Sequence, residues 1–549
     1  MAMSSATPAP APSRIRRLPL AGVLRLGRPS DIWFKPALSV VAAVAPPNLT
    51  LLALGRLDLA MYTMAGSLCA LYAHHRPYRA RAAILARVVL GMVGGLAVSL
   101  VAASLTTSAA VLVAVGALLA AVQKALCDAT RVGPPGNVVL TFITSASLFA
   151  PQTLGQVPGH LALALAAGGW AWVVAMAPGL VRPHGPERRA TAHALNATAA
   201  YVEQRDDARS RAAAGAAIQA AWQSLLSAGA RTATRRALDR LVVRAEVALA
   251  APADADPRHL RAWARDLRGT GPVPCTGEDG ELLGIDAELA VPAVPLRRRL
   301  GPLTPLAVRT ATGCALAGYA SLALGVGRPY WALVTAASLY QANLTLTWSR
   351  GVQRVVGNLV GVLLFAAVVP LAHLAPVALV LLCLVFNFGA EALIGRNYWL
   401  GSVCVTPMAL LITEFAGFQE PGRLITERVA DTVVGALVGF AAAVAVTNRR
   451  AGSRIEQTLT AVERARERAA RLLAEPRSDD PRALESARRA LAAELVELRA
   501  AVEAASGEWW QGALPQERVV RAEQAGHRTL AATVRHQAVR SATTEGTRP

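Results

Sequence analysis

Apolar and polar positions along this chain run through the same order twice. Residues 38–181 and 305–447 each break into about six apolar stretches, and each block is followed by a long polar segment rich in Arg and Ala. The first block reads as spans at 38–54, 57–75, 83–105, 108–125, 137–154 and 160–181. The second reads as spans at 305–325, 329–347, 351–370, 372–389, 397–415 and 425–447. Several are near the lower limit of about 17–20 residues for crossing a bilayer. Pro46 and Pro47 interrupt the first and predict a kink or a partly re-entrant segment there. The blocks also match in detail. Gln156, Pro158, Gly159 and Leu161 stand in the first where Gln419, Pro421, Gly422 and Leu424 stand in the second, and Gly91 and Gly95 fall opposite Gly357 and Gly361.

The polar segments 187–250 and 452–535 have helical apolar spacing, broken in the second at 476–481. Between them 251–296 is rich in Pro, Gly and Asp, with an acidic patch at Glu278, Asp279 and Glu281. Trp222, Trp263, Trp509 and Trp510 read as packing residues between these helices. Loop charges set the orientation. Arg76, Arg79, Arg81, Lys124, Arg131, Arg182, Arg188 and Arg189 follow the even-numbered spans of the first block, while the other face carries only Arg56. The second block repeats the bias with Arg297–Arg299, Arg350, Arg354, Arg396, Arg449 and Arg450, against Arg328 and Arg423 on the other side. The positive-inside rule places both termini and both polar domains in the cytoplasm. An even number of spans per block makes the copies a parallel repeat about an axis normal to the membrane.

The expected architecture is therefore all-α and polytopic, with about twelve transmembrane helices in two parallel six-helix repeats. A basic cytosolic segment (1–37) leads into the first repeat (38–181) and a cytosolic helical domain (182–304). The second repeat (305–447) leads into a C-terminal cytosolic helical domain (448–549).

Composition sharpens this picture. Mean hydropathy is +0.38 with 17% charged residues and a net charge of +20, which fits apolar spans flanked by basic residues better than a soluble globule. Only Lys35 and Lys124 are lysines among 56 basic residues, so the arginine excess reads as codon bias. No basic strip carries interleaved aromatics, and no nucleic-acid partner is expected. The six cysteines are scattered, with no CxxC and no Cys/His ligand spacing, so neither a metal nor a disulfide framework is expected. No phosphate-cradling GxxxxGK[ST] loop is present, which argues against ATP hydrolysis and leaves no cofactor implied. Residues 1–13 are rich in Ala, Pro and Ser and are followed by basic residues and further spans, which is not the pattern of a signal peptide. No HExxH, paired acidic motif or Ser/His/Asp arrangement suggests an enzyme.

Ionisable residues in or near the spans are the candidates for function, because an unpaired charge at mid-bilayer costs several kcal/mol. Asp431 follows Glu427 and Arg428 in the final span, with Arg428 and Asp431 on one helix face. It reads either as an ion-pair member near the outer interface or as a protonatable coupling group, and Glu414 has the same two readings. Arg354 is the natural anion partner, through two parallel hydrogen bonds, or else an interfacial anchor. Asn343, Asn358, Gln341 and Asn397 either line a polar path or bond across helices. Tyr330, Trp331, Tyr398 and Trp399 open spans, where an interfacial belt is the first expectation and stacking on an aromatic substrate the second. The pairs Gly91/Gly95, Gly357/Gly361 and Gly435/Gly439 read as close-packing seams, with the contact between the two blocks as one place for them.

The run Arg328-Pro329-Tyr330-Trp331-Ala332-Leu333-Val334-Thr335, then Arg354-Val355-Val356-Gly357-Asn358-Leu359-Val360-Gly361, resembles the core signature of the fusaric-acid-resistance-like family, which overlaps the aromatic acid exporters. Arg428 to Gly439 resembles its final-span pattern. The first block departs: Arg87 to Gly91 is one residue longer than Arg354 to Gly357, and no Pro-Tyr-Trp opens its second span. The resemblance implies a multi-pass protein of the bacterial cytoplasmic membrane that exports aromatic carboxylic acids or similar small amphipathic anions at the expense of the proton gradient. The site would involve Asp431, Arg428, Glu427, Arg354, Glu414, Asn358, Tyr330 and Trp331. Its partners would be a small organic anion and the lipid bilayer, with a homo-oligomer or an accessory efflux subunit left open. The alternative is a membrane-anchored scaffold whose cytosolic helices recruit a partner.

Overall fold

The computed structural model describes residues 18–27, 32–204, 207–228, 232–253, 255–274, 300–341, 343–446, 451–475, 481–508 and 515–545. The acidic patch at Glu278, Asp279 and Glu281, the residues Trp509 and Trp510, and Arg297–Arg299, Arg449 and Arg450 lie outside them. Regular structure among the described residues is helical throughout.

The first apolar block folds as α1 (Phe34–Ala53), α2 (Ala60–Ser67, flanked by single turns at Leu57–Leu59 and Leu68–Leu71), α3 (Tyr78–Leu105), α4 (Ala109–Thr130), α5 (Val138–Leu148) and α6 (Val157–Met176), with a short α7 (Pro178–Val181). The first polar segment forms α8 (Gly185–Glu203), α9 (Ala208–Ser227), α10 (Ala233–Ala250) and α11 (Pro257–Arg268). The second block forms α12 (Thr304–Ala323), α13 (Pro329–Leu339), α14 (Leu344–Ala372), α15 (Pro376–Ile394), α16 (Tyr398–Thr413) and α17 (Pro421–Ala445). The second polar segment gives α18 (Ala451–Ala474), α19 (Pro481–Ser506) and α20 (Gln516–Glu545).

Among the described residues eight helices are long and apolar enough to cross a membrane: α1, α3, α4, α6 with α7, α14, α15, α16 with its following turn, and α17. The stretches 57–75 and 137–154 yield only short apolar helices at Leu57–Leu71 and Val138–Leu148, and 329–347 is helical only to Leu339. These segments break where Pro, Gly and capping residues interrupt them. Asn343 ends the run at α13 by capping α14, its side chain accepting from the Leu346 N–H at 2.9 Å. Asn397 caps α16 through the Trp399 N–H. Both asparagines are therefore helix caps. Pro329, Pro376 and Pro421 each occupy the first position of their helix, where the missing N–H costs nothing.

The first span contains both prolines within one continuous helix, Phe34–Ala53. Pro46 cannot donate to the Ala42 carbonyl; the Trp170 indole on α6 does so instead at 3.0 Å. The Thr50 hydroxyl donates to the Pro46 carbonyl at 2.9 Å. A neighbouring helix thus replaces a lost backbone bond, and a re-entrant turn is not needed.

Within the first block α1 packs on α2 and α6, α2 and α3 on α6, and α5 on α3 and α4. In the second block α12 packs on α13 and α17, α13 and α14 on α17, and α16 on α14 and α15. The blocks meet through α4 on α12, α1 on α15 and α5 on α13. Glycines permit the closest approaches. A Cβ on Gly361 would lie 2.7 Å from Thr406 Cβ and 2.9 Å from the Val403 carbonyl, and one on Gly435 would lie 2.8 Å from Thr335 Cβ. These seams, α14 on α16 and α17 on α13, lie inside the second block rather than between the blocks. Gly95 serves the same purpose on α5, beside Thr144, but Gly91 faces open space and forms no seam.

Each polar segment has its own apolar core, one running from Ala192 to Leu267 with Trp222 inside it, the other from Ile455 to Val519. They join through α9 on α19 and α10 on α20, around Arg488, which pairs with Glu246 at 2.7 Å and Glu485 at 2.8 Å. Burial pushes the Glu246 carboxyl above its ordinary value against the pull of Arg488.

The seams predict opposite outcomes for two glycines in comparable helices. Gly361→Ala should destabilise the protein by about 1–3 kcal/mol through overpacking. Gly91→Ala should be neutral or stabilising by up to about 1 kcal/mol through helix propensity. Thermal unfolding in detergent, followed by tryptophan fluorescence, measures both; equal shifts would contradict the packing described.

Candidate functional site

The second block brings a group of polar side chains together where α13, α14, α16 and α17 converge. α13 has no exposed face: every residue from Pro329 to Leu339 is buried. It carries Trp331 into the interior, where the Arg428 guanidinium of α17 lies over the ring, 3.8 Å from its centroid. Arg428 Nε donates to Asn358 Oδ1 at 3.0 Å, and the Thr406 hydroxyl donates to the same oxygen at 2.8 Å. Asn358 Nδ2 in turn donates to the Arg354 carbonyl at 3.1 Å. Arg354 Nη1 donates to the Tyr398 hydroxyl at 3.2 Å, while the Arg350 guanidinium covers the Tyr398 ring at 3.9 Å.

No carboxylate answers either deep arginine. Arg354 is 3% exposed and Arg428 1% exposed, and neither is ion-paired among the described residues. Arg354 Nε and Arg428 Nη1 are buried donors without a hydrogen-bond partner among the described residues. An orphaned charged donor is costly, so these atoms are provisioned for something that is not protein.

Both arginines stand in the wall of a cavity of about 990 Å³ between the blocks. Arg354, Arg428, Ser402 and Val334 line it together with Phe142 of α5 in the first block. Its other lining includes Tyr398, Arg350, Gln341, Asn387, Glu391 and Arg131. The cavity rim at Arg131 lies beside the second polar bundle, as contacts there show. Arg131 pairs with Glu497 of α19 at 2.7 Å. Asn343 Nδ2 donates to the Glu503 carbonyl at 3.3 Å, and the Thr345 hydroxyl to the Gly507 carbonyl at 2.8 Å. Arg309 of α12 approaches Glu508 at 3.9 Å, a carboxyl that burial pushes above its ordinary value despite that arginine. An N-terminal strand of chain crosses the rim as well: Gln353 and Asn397 both donate to the Val23 carbonyl, at 2.9 and 3.0 Å.

The eight candidates from the sequence do not form one cluster. Arg354 and Arg428 line the cavity, with Asn358 and Trp331 directly behind them. Asp431 is fully buried but not part of the lining; Ser321 of α12 donates to its Oδ1 at 2.6 Å, and its Oδ2 is without a partner among the described residues. Arg428 and Asp431 share a helix face yet form no ion pair, because the guanidinium is turned to Asn358 and Trp331. Glu427 pairs with Arg328 at 3.0 Å and Arg423 at 2.8 Å, at the end of α17 far from the bundles. Glu414 lies in the turn after α16 and accepts from His373 at 3.1 Å. Both acids are thereby structural pairs outside the cavity. Tyr330 and Trp331 are not an interfacial belt: they are buried, Tyr330 stacked on Phe149 and Trp331 tilted against Phe142 of the first block. Arg354 is likewise no surface anchor.

Glu391 lies beyond the fourth apolar stretch of the second block, whose hydropathy falls off at residue 389. The helix continues to Ile394, and Asn387 followed one turn later by Glu391 was the available sign.

Comparison with known proteins bears on this region. Residues 315–442 match the family model described as fusaric acid resistance protein-like. The match lies within the second block. All eight candidate residues fall inside the match. A membrane protein of Bacillus subtilis (strain 168), the uncharacterized YvaC, is 32% identical over 126 residues, which is 22% of this chain. The match covers 19% of that protein. No solved structure matches the chain. Together with eight apolar helices of spanning length, these likenesses make the chain an integral membrane protein.

The geometry predicts which positions water reaches. With Cys127 replaced by Ser, a Ser338→Cys variant in the cavity wall should react with a membrane-impermeant thiol reagent supplied from the bundle side. Thr432→Cys, behind the wall, should react at least about ten-fold more slowly, since access governs thiol reactivity. Equal labelling would show that the cavity is closed to water.

Proposed function

We propose that the protein is a secondary exporter of aromatic carboxylic acids or similar small amphipathic organic anions. The observation that carries this is the pair of arginines in the wall of a cavity between the blocks, Arg354 and Arg428, each with a buried guanidinium nitrogen that has no partner among the described residues. A carboxylate placed there satisfies both donors, and Phe142 beside it offers an apolar ring surface. The family match supports a transport role for the second block.

The reciprocal packing supports two repeats related by an axis along the membrane normal. The first helix of each block meets the fourth of the other, α1 on α15 and α12 on α4. Twelve crossings in this arrangement put both polar bundles in the cytoplasm of a bacterial cell. The cavity then opens inward, among basic residues that concentrate anions before export. Rocking of one block against the other carries the anion out. An exported monoanion gains about 2.3 kcal/mol per 100 mV of an inside-negative potential, so the potential alone drives net export. Proton return adds the pH gradient to that force, and Asp431, one turn from Arg428, is the acid we assign to it.

Inside-out vesicles test the reading. Wild type should accumulate labelled benzoate, faster with an acid-inside gradient. Arg354→Gln and Arg428→Gln should each lower uptake by about ten-fold or more, the usual effect of losing a buried charged hydrogen bond. Asp431→Asn should abolish the gradient's stimulation. The scaffold reading gains instead if all three variants behave as wild type.

A further inference from the structure

Two acids line the cavity, and they differ. Asp128 is neutralised by Lys124 on the same helix, at 3.0 Å. Glu391 of α15 has no hydrogen bond or ion pair among the described residues. It stands one turn beyond Asn387, which lines the same wall and spends its Nδ2 on the Cys383 carbonyl at 2.9 Å. An acid within a helix of spanning length is costly unless paired or hydrated, and the half-buried Glu391 stands in the wall of the cavity. The space is therefore bipolar. Arg354 and Arg428 supply unmatched positive charge from α14 and α17, and Glu391 supplies unmatched negative charge from α15.

We propose that Glu391 is a specificity residue that admits monoanions and rejects dianions. This rests on the reading that the two arginines hold the substrate's carboxylate. A ligand seated on them turns its other end into the remaining cavity, where a second carboxylate meets Glu391 and a neutral or hydrogen-bond-donating group does not. Like charges across a space of this size repel enough to weaken binding by about three- to ten-fold.

The test uses the full chain in lipid nanodiscs, with benzoate as the monoanion and terephthalate as the dianion, titrated at mildly alkaline pH by calorimetry. Wild type should prefer benzoate. Glu391→Gln, which keeps the side chain's shape, should tighten terephthalate by about three- to ten-fold and leave benzoate within about two-fold. Glu391→Asp, which keeps the charge, should retain the wild-type preference and shows that the position tolerates change. If Arg428→Gln loses benzoate while Glu391→Gln leaves the preference unaltered, the filter is wrong and the anion site stands. If wild type binds neither probe, or binds benzoate equally well without Arg354 and Arg428, the anion site is wrong and the filter falls with it.

Discussion

The second block is organised by one buried cation. Arg428 lies in a helix of spanning length with no ion pair among the described residues, held by the face of Trp331 and one amide oxygen of Asn358. An isolated guanidinium in such a place costs several kcal/mol, and the surroundings are shaped to lessen that cost. Trp331 must be inside, which is why α13 is buried on every side. Asn358 must be oriented, which the Thr406 hydroxyl does. Three helices must crowd around the charge, and Gly361 on α14 and Gly435 on α17 let them. Two guanidinium nitrogens, Arg354 Nε and Arg428 Nη1, remain without partners among the described residues, and they are the basis of the anion site we propose. In the first block α4 and α5 meet instead through neutral groups, with Gln123 bonded to Thr141 and Thr144.

The polar bundles are attached to this arrangement rather than hung beside it. The end of α19 bonds to the turn between α13 and α14 through Asn343 and Thr345, and its middle pairs with Arg131 at the cavity's rim. α13 and α14 carry Trp331, Arg354 and Asn358, so a displacement of α19 moves the elements that build the site. The segment around Val23 ties the starts of α14 and α16 across the same rim. Any cycle that closes the bundle side of the cavity has to carry these contacts with it.

Much of the fold was legible because it depends on hydropathy. Every apolar stretch contains a helix, and the arginine-rich segments between them are helical bundles. The ends were less legible, since they are fixed by single residues such as Asn343 and Pro376 that act through backbone bonds. Spacing placed Arg428 and Asp431 on one face but not which neighbour each would choose. Ser321 and Asn358, which decide that, come from α12 and α14, distant in sequence. Tyr330 and Trp331 stand at a helix start, the pattern of an interfacial belt, and only the approach of α5 with Phe142 and Phe149 makes them interior. The pairing of His373 with Glu414 depends on how α14 returns beside the end of α16, which no local pattern encodes. Glu391 is not legible as a span residue because the helix runs on past the end of its apolar stretch.

The central claim is that Arg354 and Arg428 together hold a carboxylate. The direct measurement is a structure of the full chain with bound 4-iodobenzoate, whose iodine marks the ligand by anomalous scattering. The account predicts the carboxylate within hydrogen-bond distance of Arg354 Nε and Arg428 Nη1, with the iodine displaced toward the open cavity. Iodine density elsewhere, with those two nitrogens still unpartnered, would contradict it.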